Sequence, residues 1–392
     1  MSDAPKKTSP SPRLLLLALL LSLAACKPAP TETPKKEGPV TLAVPEQNAY
    51  TGAYIDFGDN EDDVTLEGIE RFEKLVGKHQ AIVASSSYWG EQSFPTANLL
   101  LIWRHDSIPL VFWSPWDRPY KQGTGPDRFS ILAILEGKWD DYIDRWGDAA
   151  REFGHPFFVS FANEMNGEWF PWSGYFIGAE NPVGAQPTPD ATGKTPVYKG
   201  PFEGPETFKK AYRYVVDRVR ARGANNVLWV FHAANYSDPR DPWNRVAQYY
   251  PGSDYVDWLG YSVYGEQFES DDWNSFSLLL DWPYGEICAL DPSKPIMLAE
   301  WGVGEFPKKG SKPDFIREAL GSLRSKYPRI KAAVFWNERW QNTKGDYSNL
   351  HVNSSPESLA AYRRGVAQPF WLDKPLLVPA PPDKSPSISA GK

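Results

Sequence analysis

Short apolar runs rich in Val, Ile, Phe, Trp and Tyr recur along the chain. Most of them are apolar at nearly every position, without the strict alternation of a half-exposed strand. This pattern is typical of parallel strands that are covered on both faces. The runs predict eight buried strands, at residues 51–58, 81–89, 108–116, 156–164, 226–235, 256–265, 295–302 and 330–338.

Several intervals between these runs carry apolar residues three or four positions apart, which predicts amphipathic helices. The clearest examples are residues 65–79, 205–223 and 312–327. Strands that alternate with helices in this way indicate an α/β protein, and eight such units indicate a (β/α)₈ TIM barrel. We expect one catalytic barrel domain over residues 48–374, with its active site at the carboxyl ends of the strands.

The first 26 residues resemble a bacterial lipoprotein signal. Basic residues precede an apolar run, 14–25, which is short for a membrane span and ends in Leu-Ala-Ala before Cys26. The resemblance implies that residues 1–25 are a signal peptide and that Cys26 carries lipid. The expected location is therefore outside the cytoplasm, anchored to a bacterial membrane, either the outer membrane or the cell surface. An ordinary signal peptide or an uncleaved anchor is the alternative.

Two segments that flank the predicted barrel lack a sustained apolar period. Residues 26–47 are rich in Pro, Lys, Thr and Glu, which predicts a flexible tether beginning at the lipidated cysteine. Residues 375–392 are rich in Pro and Ser, which predicts a disordered tail.

Composition narrows the class of partner. The formal net charge of −7 makes nucleic acid an unexpected partner, and a monomer is expected. Aromatic residues make up 14% of the chain, a high fraction that suits a protein with flat ligands such as sugar rings. Because Cys288 is the only cysteine besides Cys26, we expect no internal disulfide.

Two predicted strands end in a glutamate. Glu164 ends the fourth run and Glu300 lies two residues before the end of the seventh, so both belong at the mouth of the predicted barrel. A retaining glycosidase uses one carboxyl group as acid and base and a second as nucleophile. The chain has no Gly-x-Ser-x-Gly elbow, phosphate loop, His-Glu-x-x-His or Cys-x-x-Cys motif, and we expect neither a cofactor nor a metal.

The motifs around these glutamates resemble glycoside hydrolase family 26, which is typified by β-mannanases and belongs to the clan of retaining (β/α)₈ glycosidases. "NEMNGEWFPW" around Glu164 is similar to the family's acid/base motif, and "KPIMLAEWG" around Glu300 is similar to its nucleophile strand. The resemblance covers roughly residues 51–372. It also includes the segments "IPLVFWSPW", "YYPGSDYVDWLGYSVYG" and "YPRIKAAVFWNE".

The resemblance implies a role for five residues. Glu164 corresponds to the general acid/base, and Glu300 to the nucleophile that forms a covalent glycosyl intermediate. Tyr264 occupies the place of a tyrosine that hydrogen-bonds the nucleophile. Trp336 corresponds to the aromatic residue beneath the sugar at the cleavage site, and Trp169 to the aromatic residue just after the acid/base motif; with Tyr264, both are expected to contribute to substrate binding.

Two positions depart from the mannanase pattern. The family has His before its acid/base glutamate, whereas this chain has Asn163, the usual choice of the wider clan, where it hydrogen-bonds the sugar 2-hydroxyl. The acidic residue that the family often has two positions before the tyrosine is Ser262 here. Both changes fall where the substrate is read, so the resemblance leaves the identity of the sugar open.

Five further residues are candidates for substrate binding because they lie in or near predicted strand ends. Trp113, Trp172 and Trp301 could line outer sugar subsites, with core packing as the alternative. His232 and Asn235 could contact substrate near the end of the fifth strand, with a structural role as the alternative.

The function that these observations favour is a retaining endo-β-glycanase, with a polysaccharide as substrate. A catalytically silent carbohydrate-binding barrel, serving export of a cell-surface polysaccharide, is the alternative. Residues 175–204 form a long segment rich in Gly and Pro after the acid/base motif, and we expect it to form one wall of the cleft.

Overall fold

A closed barrel of eight parallel strands forms the centre of the fold, which confirms the predicted TIM-barrel class. The computed structural model describes residues 38–57, 63–117, 128–177, 203–342 and 345–381. Within these residues the strands are β1 (Val40–Leu42), β2 (Ala49–Ile55), β3 (Ile82–Tyr88), β4 (Ile108–Ser114), β5 (Phe157–Phe161), β6 (Val227–Ala234), β7 (Trp258–Tyr264), β8 (Ile296–Gly302), β9 (Ile330–Asn337), β10 (Trp371–Leu372) and β11 (Leu377–Pro379).

Strands β2 to β9 pair in chain order, and β9 pairs with β2 to close the barrel. Each of the eight corresponds to one predicted run. The described helices are α1 (Leu66–Val76), α2 (Thr96–Arg104), α3 (Ile131–Leu135), α4 (Asp140–Phe153), α5 (Gly204–Ala221), α6 (Val246–Tyr249), α7 (Phe276–Leu290), α8 (Lys312–Ser322) and α9 (Pro356–Val366), with 3₁₀ turns at Trp89–Glu91, Pro242–Asn244 and Ser253–Tyr255.

The three helices predicted from periodicity are present as α1, α5 and α8. Local signals set the ends of α1. The Thr65 hydroxyl accepts a hydrogen bond from the Gly68 amide at the start, and Gly77 ends the helix with a left-handed φ of 72°. None of the described helices is long and apolar enough to cross a membrane.

The strands separate two apolar cores, one inside the barrel and one between the barrel and its helices. Strand β4 shows the division. Leu110 and Phe112 lie in the inner core, whereas Val111 and Trp113 lie in the outer core. This is the period of two that a pleated strand imposes on its side chains.

The two flanking segments are more ordered than the sequence predicted. Strand β1 falls in the predicted tether and β11 in the predicted tail, and the two pair in antiparallel register, Val40 with Pro379 and Leu42 with Leu377. Leu42 also joins the inner core. The predictions of a flexible tether up to residue 47 and a disordered tail from residue 375 are therefore wrong for these strands, because main-chain pairing holds both and Leu42 anchors β1, whereas the side chains of β11 stay exposed.

Some predictions fall outside the described residues. They include the signal peptide with Cys26, the segment 382–392, and residues 178–202 of the predicted cleft wall. The remaining domain boundaries stay predictions.

Candidate active site

Glu164 reaches the barrel mouth through a turn that directly follows β5. The strand ends at Phe161, and both Ala162 and Glu164 take a left-handed backbone, with φ values of 47° and 55°. That conformation costs a non-glycine residue roughly 1 to 2 kcal/mol, and such strain collects at functional sites. The Glu164 amide donates to the His232 carbonyl at 2.8 Å, which fixes the turn against β6.

Glu300 reaches the mouth through a bulge in β8. Tyr261 pairs with Leu298 and Ser262 pairs with Glu300, so β8 holds one residue more than β7 over this stretch. Ala299 lies in the inner core and Trp301 in the outer core. A regular strand would have placed Glu300 on the outer face with Leu298, and the extra residue lets the carboxylate face inward.

The two glutamates form a close pair. A carboxylate oxygen of Glu164 and one of Glu300 lie within 4.8 Å of each other, and the residues are only 9% and 7% exposed. The Tyr264 hydroxyl donates to Glu300 Oε2 at 2.7 Å. Asn163 Nδ2 lies 3.5 Å from Glu300 Oε1, a long contact. Tyr264 therefore contacts the nucleophile candidate, as the resemblance implied, and Asn163 lies beside it, while the contact of Asn163 with the sugar stays a prediction.

The surroundings of Glu164 favour a protonated carboxyl group. Burial raises the pKa of Glu164 above its usual value, and hydrogen bonds from Ser262 and Trp169 partly offset that rise. Trp169 Nε1 donates to Glu164 Oε2 at 2.6 Å. The prediction placed Trp169 near the acid/base glutamate, and the structure shows a direct contact between them.

His232 lies beneath the pair and does not reach the mouth. It is fully buried, with Nδ1 2.9 Å from the Ser160 hydroxyl and Nε2 2.8 Å from the Ser262 hydroxyl. Burial lowers the pKa of His232 to about 3, so the ring is neutral. The predicted substrate contact is wrong, because both ring nitrogens are held by serines.

The same geometry bears on metal binding at the mouth. One ligand atom each from Glu164, His232 and Glu300 lie within 4.8 Å of one another. Both ring nitrogens of His232 already have serine hydroxyls as hydrogen-bond partners, so hydrogen bonds account for the position of the ring. That no metal is needed stays a prediction.

Trp336 provides a flat surface at the end of β9. Its ring stacks on Tyr54, with centroids 3.8 Å apart and planes 5° from parallel, and it remains partly exposed. Trp336 Nε1 donates to Glu338 Oε2 at 2.7 Å. The indole is therefore fixed in one orientation, as an aromatic platform requires.

Two predicted sugar platforms belong to the outer core. Trp113 is fully buried, stacks on Trp146 of α4 at 4.1 Å, and donates from Nε1 to the Tyr142 hydroxyl at 3.0 Å. Trp301 is 1% exposed and packs against Phe335. The substrate-binding predictions for Trp113 and Trp301 are wrong, because the pleat and the β8 bulge direct both rings toward the helices.

Trp172 supports the turn after β5 and does not offer a face to substrate. It is 2% exposed, stacks on Phe170 at 4.6 Å, and donates from Nε1 to the Asn163 carbonyl at 2.7 Å. The prediction of a sugar platform at Trp172 is wrong, because the ring is buried against Phe170 and its N–H is bonded to the backbone of the acid/base motif.

Asn235 supports a helix. Its Nδ2 donates to the Leu279 carbonyl at 3.0 Å. Pro283 lies four residues after Leu279 inside α7 and has no N–H with which to bond that carbonyl. The structure therefore reassigns Asn235 from substrate binding to the repair of a gap in the helix.

Sequence reasoning missed three contributors to the site. Ser262 was noted only as a departure from a pattern, yet its hydroxyl links His232 to Glu164. Glu338 and Tyr54 hold Trp336 from two sides. Glu338 is the last residue of the predicted run 330–338, as Glu164 is of the run 156–164, so the same positional rule would have found it.

A (β/α)₈ barrel with paired carboxylates at the carboxyl ends of β5 and β8 has the architecture of a barrel glycoside hydrolase. Residues 140–351 match the model described as glycosyl hydrolase family 26. The chain belongs to that family, which confirms the resemblance found in the sequence.

Curated relatives carry several activities. Endoglucanase H of Acetivibrio thermocellus is 30% identical over 302 residues, covering 76% of this chain and 29% of that protein. A mannan endo-1,4-β-mannosidase of Bacillus subtilis is 23% identical over 363 residues, covering 83% of this chain and 88% of that protein. A β-1,3-xylanase of a Vibrio species is 24% identical over 171 residues, covering 43% of this chain and 28% of that protein.

The chain spans only 29% of the length of Endoglucanase H and 34% of the length of mannan endo-1,4-β-mannosidase A and B of Caldalkalibacillus mannanilyticus. Among solved structures, the YdhT protein of Bacillus subtilis matches with a TM-score of 0.55 at 18% identity, covering 84% of this chain and 88% of that one. The catalytic domain of a Bacillus endo-β-1,4-mannanase matches with a TM-score of 0.56 at 18% identity, covering 83% and 87%. At this identity the structures support the fold alone.

Proposed function

We propose that this protein is an endo-acting β-glycanase that hydrolyses its polysaccharide by double displacement, with retention of anomeric configuration. The approach of Glu164 and Glu300 to within 4.8 Å carries the proposal. Retaining enzymes hold their carboxyl groups about 5 to 5.5 Å apart, whereas inverting enzymes leave about 6.5 to 9.5 Å for a water molecule. Nearest oxygens within 4.8 Å of each other fit the shorter, retaining spacing, which is also the mechanism that the family resemblance implies.

Glu300 attacks the anomeric carbon and forms a glycosyl ester, while the proton of Glu164 passes to the departing glycosidic oxygen. Glu164, now a carboxylate, takes a proton from water as that water attacks the anomeric carbon and releases Glu300. The raised pKa of Glu164, caused first by burial, keeps the acid protonated for the first step. Tyr264 orients the Glu300 carboxylate through its hydroxyl.

Trp336 serves as the platform for the sugar at the cleavage site. A pyranose presents C–H groups on its faces, which suit an indole held flat against Tyr54. Asn163, beside Glu300, is placed to hydrogen-bond the sugar 2-hydroxyl, a contact that strengthens in the transition state. The relatives are an endoglucanase, a mannan endo-1,4-β-mannosidase and a β-1,3-xylanase, which supports a β-linked polysaccharide as the substrate class and leaves the sugar open.

The test is release of reducing ends by the purified protein from mannan, xylan, mixed-linkage glucan and the producing cell's own polysaccharide. We expect cleavage of at least one polymer, with first products in the β configuration by NMR, and no cleavage by Glu300→Ala. Polymer binding without cleavage, unchanged in Glu300→Ala, would instead establish the carbohydrate-binding alternative.

We also propose that the protein is exported and held at a bacterial membrane by lipid on Cys26, and that it acts as a monomer. The basic residues, the apolar run and the Leu-Ala-Ala-Cys sequence support the anchor. Mass spectrometry of the amino terminus checks it. We expect Cys26→Ser to shift the protein from the membrane fraction to the soluble fraction, and Cys288→Ser to leave it in place; equal fractionation of the two variants would contradict the anchor.

A further inference from the structure

Two histidines and a glutamate meet at the end of the barrel opposite the active site. Glu73 lies in the last turn of α1, His79 lies just before β3, and His105 directly follows α2 and precedes β4. The parallel strands β3 and β4 begin here and end at the mouth, so this group, the Glu73 cluster, belongs to the amino-terminal face of the barrel.

The donor atoms of the Glu73 cluster converge. His79 Nδ1 lies 2.8 Å from Glu73 Oε1, and His105 Nε2 lies 3.0 Å from Glu73 Oε2. One ligand atom from each of the three residues lies within 4.8 Å of the others. The side chains are 14%, 20% and 18% exposed for Glu73, His79 and His105, so solvent ions can reach them.

His79 faces a hydrogen-bond acceptor on both sides of its ring. Nδ1 points at the Glu73 carboxylate, and Nε2 lies 3.3 Å from the Asp106 carbonyl. A neutral imidazole has one N–H and one lone pair, so it can satisfy only one of these acceptors. Both contacts become favourable when Nδ1 carries a cation, either a second proton or a metal ion shared with the carboxylate.

We propose that the Glu73 cluster is a zinc site in which Glu73, His79 and His105 are the protein ligands and water completes the coordination. Imidazole nitrogens and a carboxylate are ligands that Zn²⁺ prefers, at about 2.0 to 2.2 Å. A tetrahedral ion at those lengths separates its ligand atoms by about 3.3 Å. The observed spacings, 2.8 Å to Oε1 and 3.0 Å to Oε2, run to different oxygens of Glu73, so an ion between the two rings would take both oxygens or draw the carboxylate toward one of them.

The surrounding backbone already supports a ligand set. His79 Nε2 lies 3.3 Å from the Asp106 carbonyl, and the tautomer that donates from Nε2 to this carbonyl is the one that presents the Nδ1 lone pair to a metal. The Gln80 amide donates to Glu73 Oε1 at 2.9 Å and orients the carboxylate. Metal-binding histidines and carboxylates commonly have such partners for their remaining polar atoms.

A metal at this place would join α1, the segment before β3 and the end of α2. The site is at the opposite ends of the strands from Glu164 and Glu300, so its effect is on stability and not on the chemical step. Binding to the folded state alone raises stability with ligand concentration, by about 2.7 kcal/mol at a hundredfold excess over Kd.

The experiment measures zinc bound per chain by equilibrium dialysis of the full protein against Zn²⁺, together with thermal unfolding. We expect one zinc per chain, a raised Tm, and at least about tenfold tighter binding at pH 8 than at pH 6, because an imidazole binds a metal only in its deprotonated form. Glu73→Gln and His105→Gln should each lose the ion, with kcat unchanged.

His351→Gln is the matched control. His351 pairs with the carboxylate of Asp56 at 3.1 Å, and that pair includes no second histidine among the described residues. We expect this variant to bind zinc as the wild type does. Zinc content of the wild type no higher than that of Glu73→Gln would overturn the proposal. A wild-type Tm that does not change with added zinc, and that falls as the pH rises from 6 to 8, would also overturn it. That result would mean that His79 is a protonated partner of Glu73, because Glu73 raises the pKa of His79 and the stability of such a pair is lost as the ring loses its proton. The zinc content and Tm of the wild type test the proposal even if a variant does not fold.

Discussion

Strands β5 and β8 each deliver one of the paired glutamates, but with different backbone devices. Strand β5 leaves the sheet at Phe161, and two left-handed residues then place Glu164. Strand β8 stays in the sheet to Gly302 and gains one residue in a bulge to place Glu300. The position of Glu164 therefore depends on side chains that hold a turn, whereas the position of Glu300 depends on the ladder of its neighbours.

Removing each carboxylate gives the largest effect and separates the two roles. We expect Glu300→Ala and Glu164→Ala each to lose at least about 10⁴-fold in kcat on polymer. On an aryl β-glycoside whose leaving group departs without a proton, azide should rescue both, because a small anion fits the space of the missing carboxylate and attacks the anomeric carbon. The product should be the β-azide with Glu164→Ala and the α-azide with Glu300→Ala, as NMR would show. The same anomer from both would contradict the assignment.

Tyr264→Phe tests the support of the β8 glutamate. It removes the O–H donor to Glu300, and we expect kcat to fall about 10²-fold with a much smaller change in KM. Tyr250→Phe is the control, because Tyr250 makes a bond of the same kind to Asp291, also at 2.7 Å, away from the mouth. Equal losses in the two variants would show that general stability, and not Glu300, is affected.

Trp169→Phe tests the support of the β5 glutamate. The indole N–H stabilises the charged carboxylate and lowers the pKa of Glu164, so its loss should raise that pKa further. The acid then stays protonated to higher pH, and we expect the alkaline limb of kcat/KM to move upward while the acid limb stays in place. A downward or absent shift in the profile would count against Glu164 as the acid.

The smallest expected effect is on stability, and it comes from comparing the same substitution, Trp to Phe, at two buried tryptophans. Trp172 Nε1 donates to the Asn163 carbonyl in the turn after β5, whereas Trp301 Nε1 on β8 finds no partner among the described residues. Trp172→Phe should therefore lower the free energy of unfolding by about 1 kcal/mol more than Trp301→Phe. Urea titration of both variants measures the difference. Equal losses would mean that the turn does not rely on this bond.

The sequence predicted all eight barrel strands because buried parallel strands are continuous apolar runs. It also predicted the approach of Glu164 and Glu300, since strand ends in a barrel converge on one face. Both predictions succeed because the apolar run and the position at its end recur in each of the eight strands.

The directions of individual side chains were harder to predict. A strand covered on both faces is apolar on both, so nothing in "IPLVFWSPW" tells that Phe112 faces inward and Trp113 outward. The bulge in β8 adds to the difficulty. Regular alternation along the strand would point Trp301 into the barrel, whereas the extra residue points it outward. Asn235 was misassigned for another reason: its partner carbonyl is freed by Pro283, which lies far along the chain.

The extra residue in β8 also has a consequence for comparing barrels. Two strands aligned by residue count stay in phase only if neither contains a bulge. Beyond Ala299, an alignment of this strand with a regular one must open a gap of one position, or it will equate inward side chains with outward ones. Alignment methods penalise a gap inside a strand, but at this position the gap is what keeps equivalent side chains aligned.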